Sequence, residues 1–134
     1  MSRYEHLPIY KKTFDLLVYL EGAIRHFPRY HKYTLGTDIR TTAQKMVYTL
    51  ATLNDAPKEN RGEVVAEFLQ AVERAKIQMA VARETAVFKN YDTWYRAAEQ
   101  LHDIGGQGQG LKRYFEKRAR VGENSLPSVP EPRL

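Results

Sequence analysis

The chain has 134 residues, carries 21 Lys and Arg against 16 Asp and Glu, and contains no cysteine. That length suits one domain with one core, and the lack of cysteine excludes disulfides, thiolate nucleophiles and zinc sites built on sulfur. Met1 to His6 is polar, and no stretch approaches the roughly 18 apolar residues of a spanning helix, so a soluble cytoplasmic protein with no membrane partner is expected.

Hydrophobic spacing divides the chain into four helices. The first begins at Pro8, where proline's missing N–H is harmless in the opening turn, and ends near His26 because Pro28 disfavours helix at Phe27. Its predicted core stripe is Tyr10, Phe14, Leu17 and Ile24, flanked by Leu20 and Phe27. A basic, aromatic connector follows. The second helix starts near Gly36 or Thr37, repeats Ile39, Ala43, Met46, Leu50 and Leu53 at intervals of three and four, and stops around Asn54, ahead of Pro57. In the third, Val65, Phe68, Val72, Ala75, Met79, Ala82 and Ala86 form a heptad seam. No proline falls between Glu59 and Asn90, so an uninterrupted helix of roughly 32 residues would run about 48 Å.

A short connector at Asn90 to Asp92 leads into the fourth helix, which includes Trp94, Ala98, Leu101, Leu111 and Phe115. Gly105, Gly106, Gly108 and Gly110 interrupt it, each costing about 1 kcal/mol relative to alanine inside a helix. Leu101, Gly105, Gly108 and Phe115 nevertheless keep the heptad spacing, and a seam glycine lets a neighbouring helix approach closely. A continuous helix is therefore expected. After Arg120, the segment Gly122 to Leu134 holds Pro127, Pro130 and Pro132 and little apolar content, the composition of a disordered tail following a folded region over residues 1–120. Four amphipathic helices with short links predict an all-α fold, an antiparallel up-down four-helix bundle.

Charge is unevenly placed along these elements. The long third helix is balanced, whereas Arg25, Arg29, Lys32, Arg40 and Lys45 face only Asp38, and Lys112, Arg113, Lys117, Arg118 and Arg120 face only Glu116. From Arg25 to Tyr33 cations that pair with phosphate alternate with rings that stack on bases. An alternative stands beside that reading: Phe27, Tyr30 and Tyr33 close the end of the bundle while the charges solvate a loop. The second cluster lies in the last turns of the fourth helix, where cations also complement the helix dipole. An up-down bundle puts the two clusters at opposite ends. The candidate nucleic-acid contacts are Arg25, Arg29, Lys32 and Arg40 at one end and Lys112, Arg113, Lys117 and Arg118 at the other.

Catalytic and metal motifs fail on inspection. Gly105 and Gly110 have the spacing of a phosphate-binding loop, but Leu111 stands where lysine is required and Arg113 follows Lys112. Glu99 and His102 make one Glu-x-x-His unit, and a di-iron bundle needs a second one and two further inward carboxylates. The only serines, Ser2, Ser125 and Ser128, sit in terminal segments that cannot be held against a base. No catalytic residue, metal ligand or cofactor is assigned. Tyr19, Tyr48 and Tyr95 exceed what one core needs and are candidate subunit contacts.

Leu7, Pro8, Ile9, Tyr10, Lys11 and Lys12, then Phe27, Pro28 and Arg29, then Lys32, Tyr33, Thr34, Leu35 and Gly36, resemble a bacterial four-helix-bundle family. It is the family of accessory variability determinants of diversity-generating retroelements, relatives of proteins encoded in intervening sequences of large-subunit ribosomal RNA genes. Asp103, Ile104 and Gly105 leading to Gly110, Leu111 and Lys112 are also similar to it, whereas Tyr30 and His31 stand where Glu and Tyr are expected. The resemblance implies a non-enzymatic, barrel-like homopentamer that partners a retroelement reverse transcriptase and engages template RNA or cDNA in mutagenic homing. The ribosomal branch implies instead an oligomeric scaffold with no reverse transcriptase partner.

Overall fold

The computed structural model describes residues 7–121, as four long helices and one short one. Helix α1 spans Pro8–Ile24, α2 is the single turn Arg29–Lys32, α3 spans Leu35–Ala51, α4 spans Arg61–Glu84 and α5 spans Tyr91–Val121. Each long helix packs on two neighbours, in the cyclic order α1, α3, α4, α5. Connections between consecutive long helices are short, so neighbours run antiparallel and the fold is an up-down four-helix bundle. No described helix is long and apolar enough to cross a membrane. The proline-containing segment after Gly122 and the polar N-terminus lie outside the described residues.

In α1 the buried face is Ile9, Thr13, Leu16, Leu20, Ala23 and Ile24. This shifts the expected stripe by one position: Phe14 is 47 % exposed, and Tyr10 and Leu17 are only half-buried against the core. The reason lies at Thr13, whose hydroxyl donates to the Ile9 carbonyl at 2.7 Å. With its one polar atom satisfied inside the helix, threonine can enter the core. Lys12 and Asp103 form an ion pair that links α1 to α5 at the surface. The helix stops at Ile24, and Phe27 turns inward to meet Phe88 edge-on at 5.0 Å.

Helix α3 buries Ile39, Ala43, Met46 and Leu50, and a tight 3₁₀ turn at Thr52–Asn54 adds Leu53. Its first turn folds back against the α1–α3 connector at Gly36. A Cβ there would lie 2.9 Å from Ile24 Cγ2 and 3.3 Å from the His31 carbonyl, so any larger residue would force the connector away.

Helix α4 is shorter than its proline-free stretch allows. It has 24 residues, follows a 3₁₀ turn at Lys58–Asn60, and ends at Glu84. The seam from Val65 to Ala82 is buried as expected, but Ala86 is exposed, outside the helix, and adopts φ 53°. Val87 N–H donates to the Ala82 carbonyl and Ala86 N–H to the Arg83 carbonyl, at 3.2 and 3.1 Å, the paired bonds of a Schellman terminus. A left-handed alanine costs about 1–2 kcal/mol. Reversing the chain there returns Val87 and Phe88 to the core, and burying one such side chain contributes about 1.5–3 kcal/mol. Spacing alone could not show that the helix ends where the next two apolar residues are better used pointing inward.

Helix α5 runs for 31 residues without a break at its glycines. Asn90 caps it, its side-chain oxygen accepting from Thr93 N–H at 2.8 Å. Gly105 and Gly108 face α4: a Cβ on Gly108 would lie 2.8 Å from Leu69 Cδ2 and 3.1 Å from Phe68 Cε2, and one on Gly105 would lie 3.4 Å from Val72 Cγ1. The glycines thus carry the close helix approach that kept the seam in register.

Candidate nucleic-acid interface

Phe27 on Phe88 joins the α1–α3 connector to the α4–α5 turn, so both belong to one end of the bundle. Pro28 then starts α2, its carbonyl accepting from the N–H groups of His31 and Lys32 at 2.9 Å each. That single turn separates the three rings of the connector. Phe27 closes the core, whereas Tyr30 and Tyr33 remain 82 % and 70 % exposed. Arg25 and Arg29 are exposed, with no ion pair among the described residues, and Lys32 Nζ sits 5.9 Å from the Tyr33 ring centroid. Arg40 is placed differently. Its Nε lies 2.6 Å from Glu21 Oε1, an ion pair across α1 and α3 that offsets its charge.

The second cluster occupies the last turns of α5, at the opposite end, where Gly62 at the start of α4 meets Phe115. Lys112 pairs with Glu116 at 3.6 Å. Arg118 donates to the Tyr114 hydroxyl at 3.1 Å and covers that ring, with its guanidinium carbon 5.6 Å from the centroid. Arg113 and Lys117 are exposed and have no ion pair among the described residues. Of the eight candidates, Arg25, Arg29 and Lys32 gather at one end and Arg113 and Lys117 remain open at the other. Lys112, Arg118 and Arg40 have internal partners.

Arg83 and Lys89 join the connector end, although the balanced charge of the third helix gave no sign of this in the sequence. Arg83 stacks over Tyr91 and Trp94 at 5.8 and 5.2 Å. Lys89 is exposed next to Phe88. Bundle parity supplied the missing signal, because the first and third connections of an up-down bundle share an end. Beside Arg83 an open groove of about 540 Å³ runs between α4 and α5, lined by Lys76, Ala80, Trp94, Ala98 and His102 among others. Trp94 Nε1 donates to the Met79 carbonyl at 2.8 Å, fixing the indole as one wall.

The other sequence candidates are also placed. Gly105 to Lys112 lies within α5 and forms no loop. Glu99 and His102 are exposed, and no group of three or more metal-ligating side chains occurs among the described residues. Tyr19 is used inside the protomer, donating from its hydroxyl to the Thr93 carbonyl at 3.0 Å, while Tyr48 and Tyr95 remain exposed. No family model and no curated protein matches this chain.

Proposed function

We propose that this chain is a non-enzymatic accessory protein that binds a retroelement reverse transcriptase together with template RNA or cDNA and supports mutagenic retrohoming. The observation that carries the nucleic-acid part is the connector end, where Arg25 and Arg29 stand exposed beside open aromatic rings. Among the described residues no acidic side chain pairs with either, so their attraction to phosphate is not offset there. The retroelement part rests on the sequence resemblance in the first helix, the connector and the fourth helix. Diagonally opposed helices carry exposed apolar pairs, Phe14 and Val18 on α1 and Ile77 and Val81 on α4. Two different faces on opposite sides suit head-to-tail contacts, which give a ring where the rotation between copies closes and a filament where it does not; following the sequence resemblance, a homopentamer in the cytoplasm is the assembly proposed.

Inspection of the neighbouring genes for a reverse transcriptase, followed by co-expression with it, tests the reading. Co-purification of the two, with RNA or DNA binding that weakens steeply with salt, is the expected result. Failure of both would overturn it, and a gene with no neighbouring reverse transcriptase and no template repeat would favour the ribosomal-branch scaffold. Light scattering that returned a monomer mass would remove the ring.

A further inference from the structure

The two basic ends are chemically unlike. At the α5 end Tyr114 is half-buried against the core and Phe115 is buried, whereas Tyr30, edge-on to His31 at 4.9 Å, and Tyr33, 5.9 Å from Lys32 Nζ, stay exposed despite those contacts. At the connector end Tyr30 and Tyr33 are the most exposed large apolar side chains among the described residues, at 82 % and 70 %, and Phe27 already does the packing. Tyr30 lies in α2 and Tyr33 follows its last residue, three positions on, an interval close to one helical turn. Arg25, Arg29 and Lys32 flank them.

We infer that the connector end binds unpaired nucleotides, with Tyr30 and Tyr33 stacking on bases while Arg25, Arg29 and Lys32 neutralise adjacent phosphates; the α5 cluster supplies charge alone. This rests on the nucleic-acid reading above and narrows it to a strand type. A ring gains from a base only where the base face is free. Within a duplex each face is covered by its neighbour, whereas a single strand can splay its bases onto aromatic side chains. The four residues of α2 are also too few to lie along a duplex groove as a recognition helix does. Stacking is tolerant of sequence because every base presents a π face, so the site would track strand rather than read it.

The test is fluorescence anisotropy of the full chain with a labelled 20-nucleotide oligouridine and with an RNA duplex of equal length, each over a salt series. Three variants are compared with the parent: Tyr30→Leu with Tyr33→Leu, Tyr30→Phe with Tyr33→Phe, and Arg25→Gln with Arg29→Gln. The leucine pair should lose about 5-fold or more per ring on the single strand, with little change on the duplex and an unchanged salt slope. The phenylalanine pair should bind as the parent does. The glutamine pair should weaken both ligands and lower the single-strand salt slope by about 0.7 for each phosphate that is no longer neutralised. If the leucine pair binds the single strand as tightly as the parent while the glutamine pair does not, stacking is refuted and the broader nucleic-acid reading stands. A parent that binds neither ligand at low salt overturns both. Equal loss on strand and duplex, accompanied by a smaller mass in light scattering, would place the rings in a subunit contact and overturn the inference.

Discussion

Replacing Gly106 and Gly108 with alanine, one at a time, should affect the stability of the bundle unequally, with only the first substitution stabilising it. Both residues lie inside α5, so each alanine gains about 1 kcal/mol of helix propensity. Around Gly106 no atom beyond its chain neighbours and the local helix backbone lies within 4 Å of the new Cβ, and the gain is unopposed. At Gly108 the Cβ would come within 2.8 Å of Leu69 Cδ2 and 3.1 Å of Phe68 Cε2. The leucine methyl can rotate away, but the Phe68 ring is fully buried and cannot yield without displacing its neighbours. Overpacking of this kind costs about 1–3 kcal/mol. Gly106→Ala is therefore expected to stabilise by about 1 kcal/mol, and Gly108→Ala to fall between neutral and about 2 kcal/mol destabilised. Urea unfolding followed by far-UV circular dichroism, at one protein concentration, resolves the gap. The gap is about 1–3 kcal/mol, and with a slope of about 1–3 kcal/mol/M the two midpoints should differ by about 0.3–3 M. A Gly108→Ala variant as stable as Gly106→Ala would refute the close approach of α4 and α5.

Ala86→Gly should stabilise by about 1 kcal/mol, because glycine adopts the left-handed conformation at the end of α4 without a Cβ penalty; no rise in the urea midpoint would remove the Schellman terminus from the account. Leu16→Ala is expected to cost about 2–5 kcal/mol as a core truncation, and a loss well under 1 kcal/mol would restore the stripe read from spacing. Arg40→Gln should lower oligouridine affinity less than Arg25→Gln does, since Glu21 already offsets the Arg40 charge; equal losses would return Arg40 to the interface. Phe14→Asp should reduce the mass measured by light scattering while leaving helix content intact, because Phe14 is outside the protomer core.

Most of the architecture was legible because the helices of a bundle write their buried faces as a repeat of three and four. Ile39, Ala43, Met46, Leu50 and Leu53 all lie in the core, and Gly105 and Gly108, the two glycines with seam spacing, are the ones that face α4. Periodicity failed where side-chain chemistry competed with it. Thr13 counts as polar in any hydrophobic sum, yet its hydroxyl is satisfied within one helical turn, so the burial of α1 rotated toward it. Ala86 has helical spacing and helical propensity, but Val87 and Phe88 bury more surface if the chain reverses before them. At the connector the sequence allowed two roles for its rings, and only the fold separated Phe27 from Tyr30 and Tyr33. The ion pairs that remove Arg40 and Lys112 from the open surface join residues 19 and four positions apart. The nearer pair follows from helix geometry, and the more distant one required the packing of α1 on α3.

The even number of long helices also fixes how this protein can be handled. Pro8 opens α1 and Val121 closes α5 at the same end of the bundle, opposite the edge contact of Phe27 with Phe88. A linker, dye or capture tag joined through either of those helix ends departs from the side remote from Tyr30 and Tyr33. Immobilisation through α1 or α5 would thus point the aromatic turn outward, and a surface-based binding assay would interrogate it without the support standing in the way.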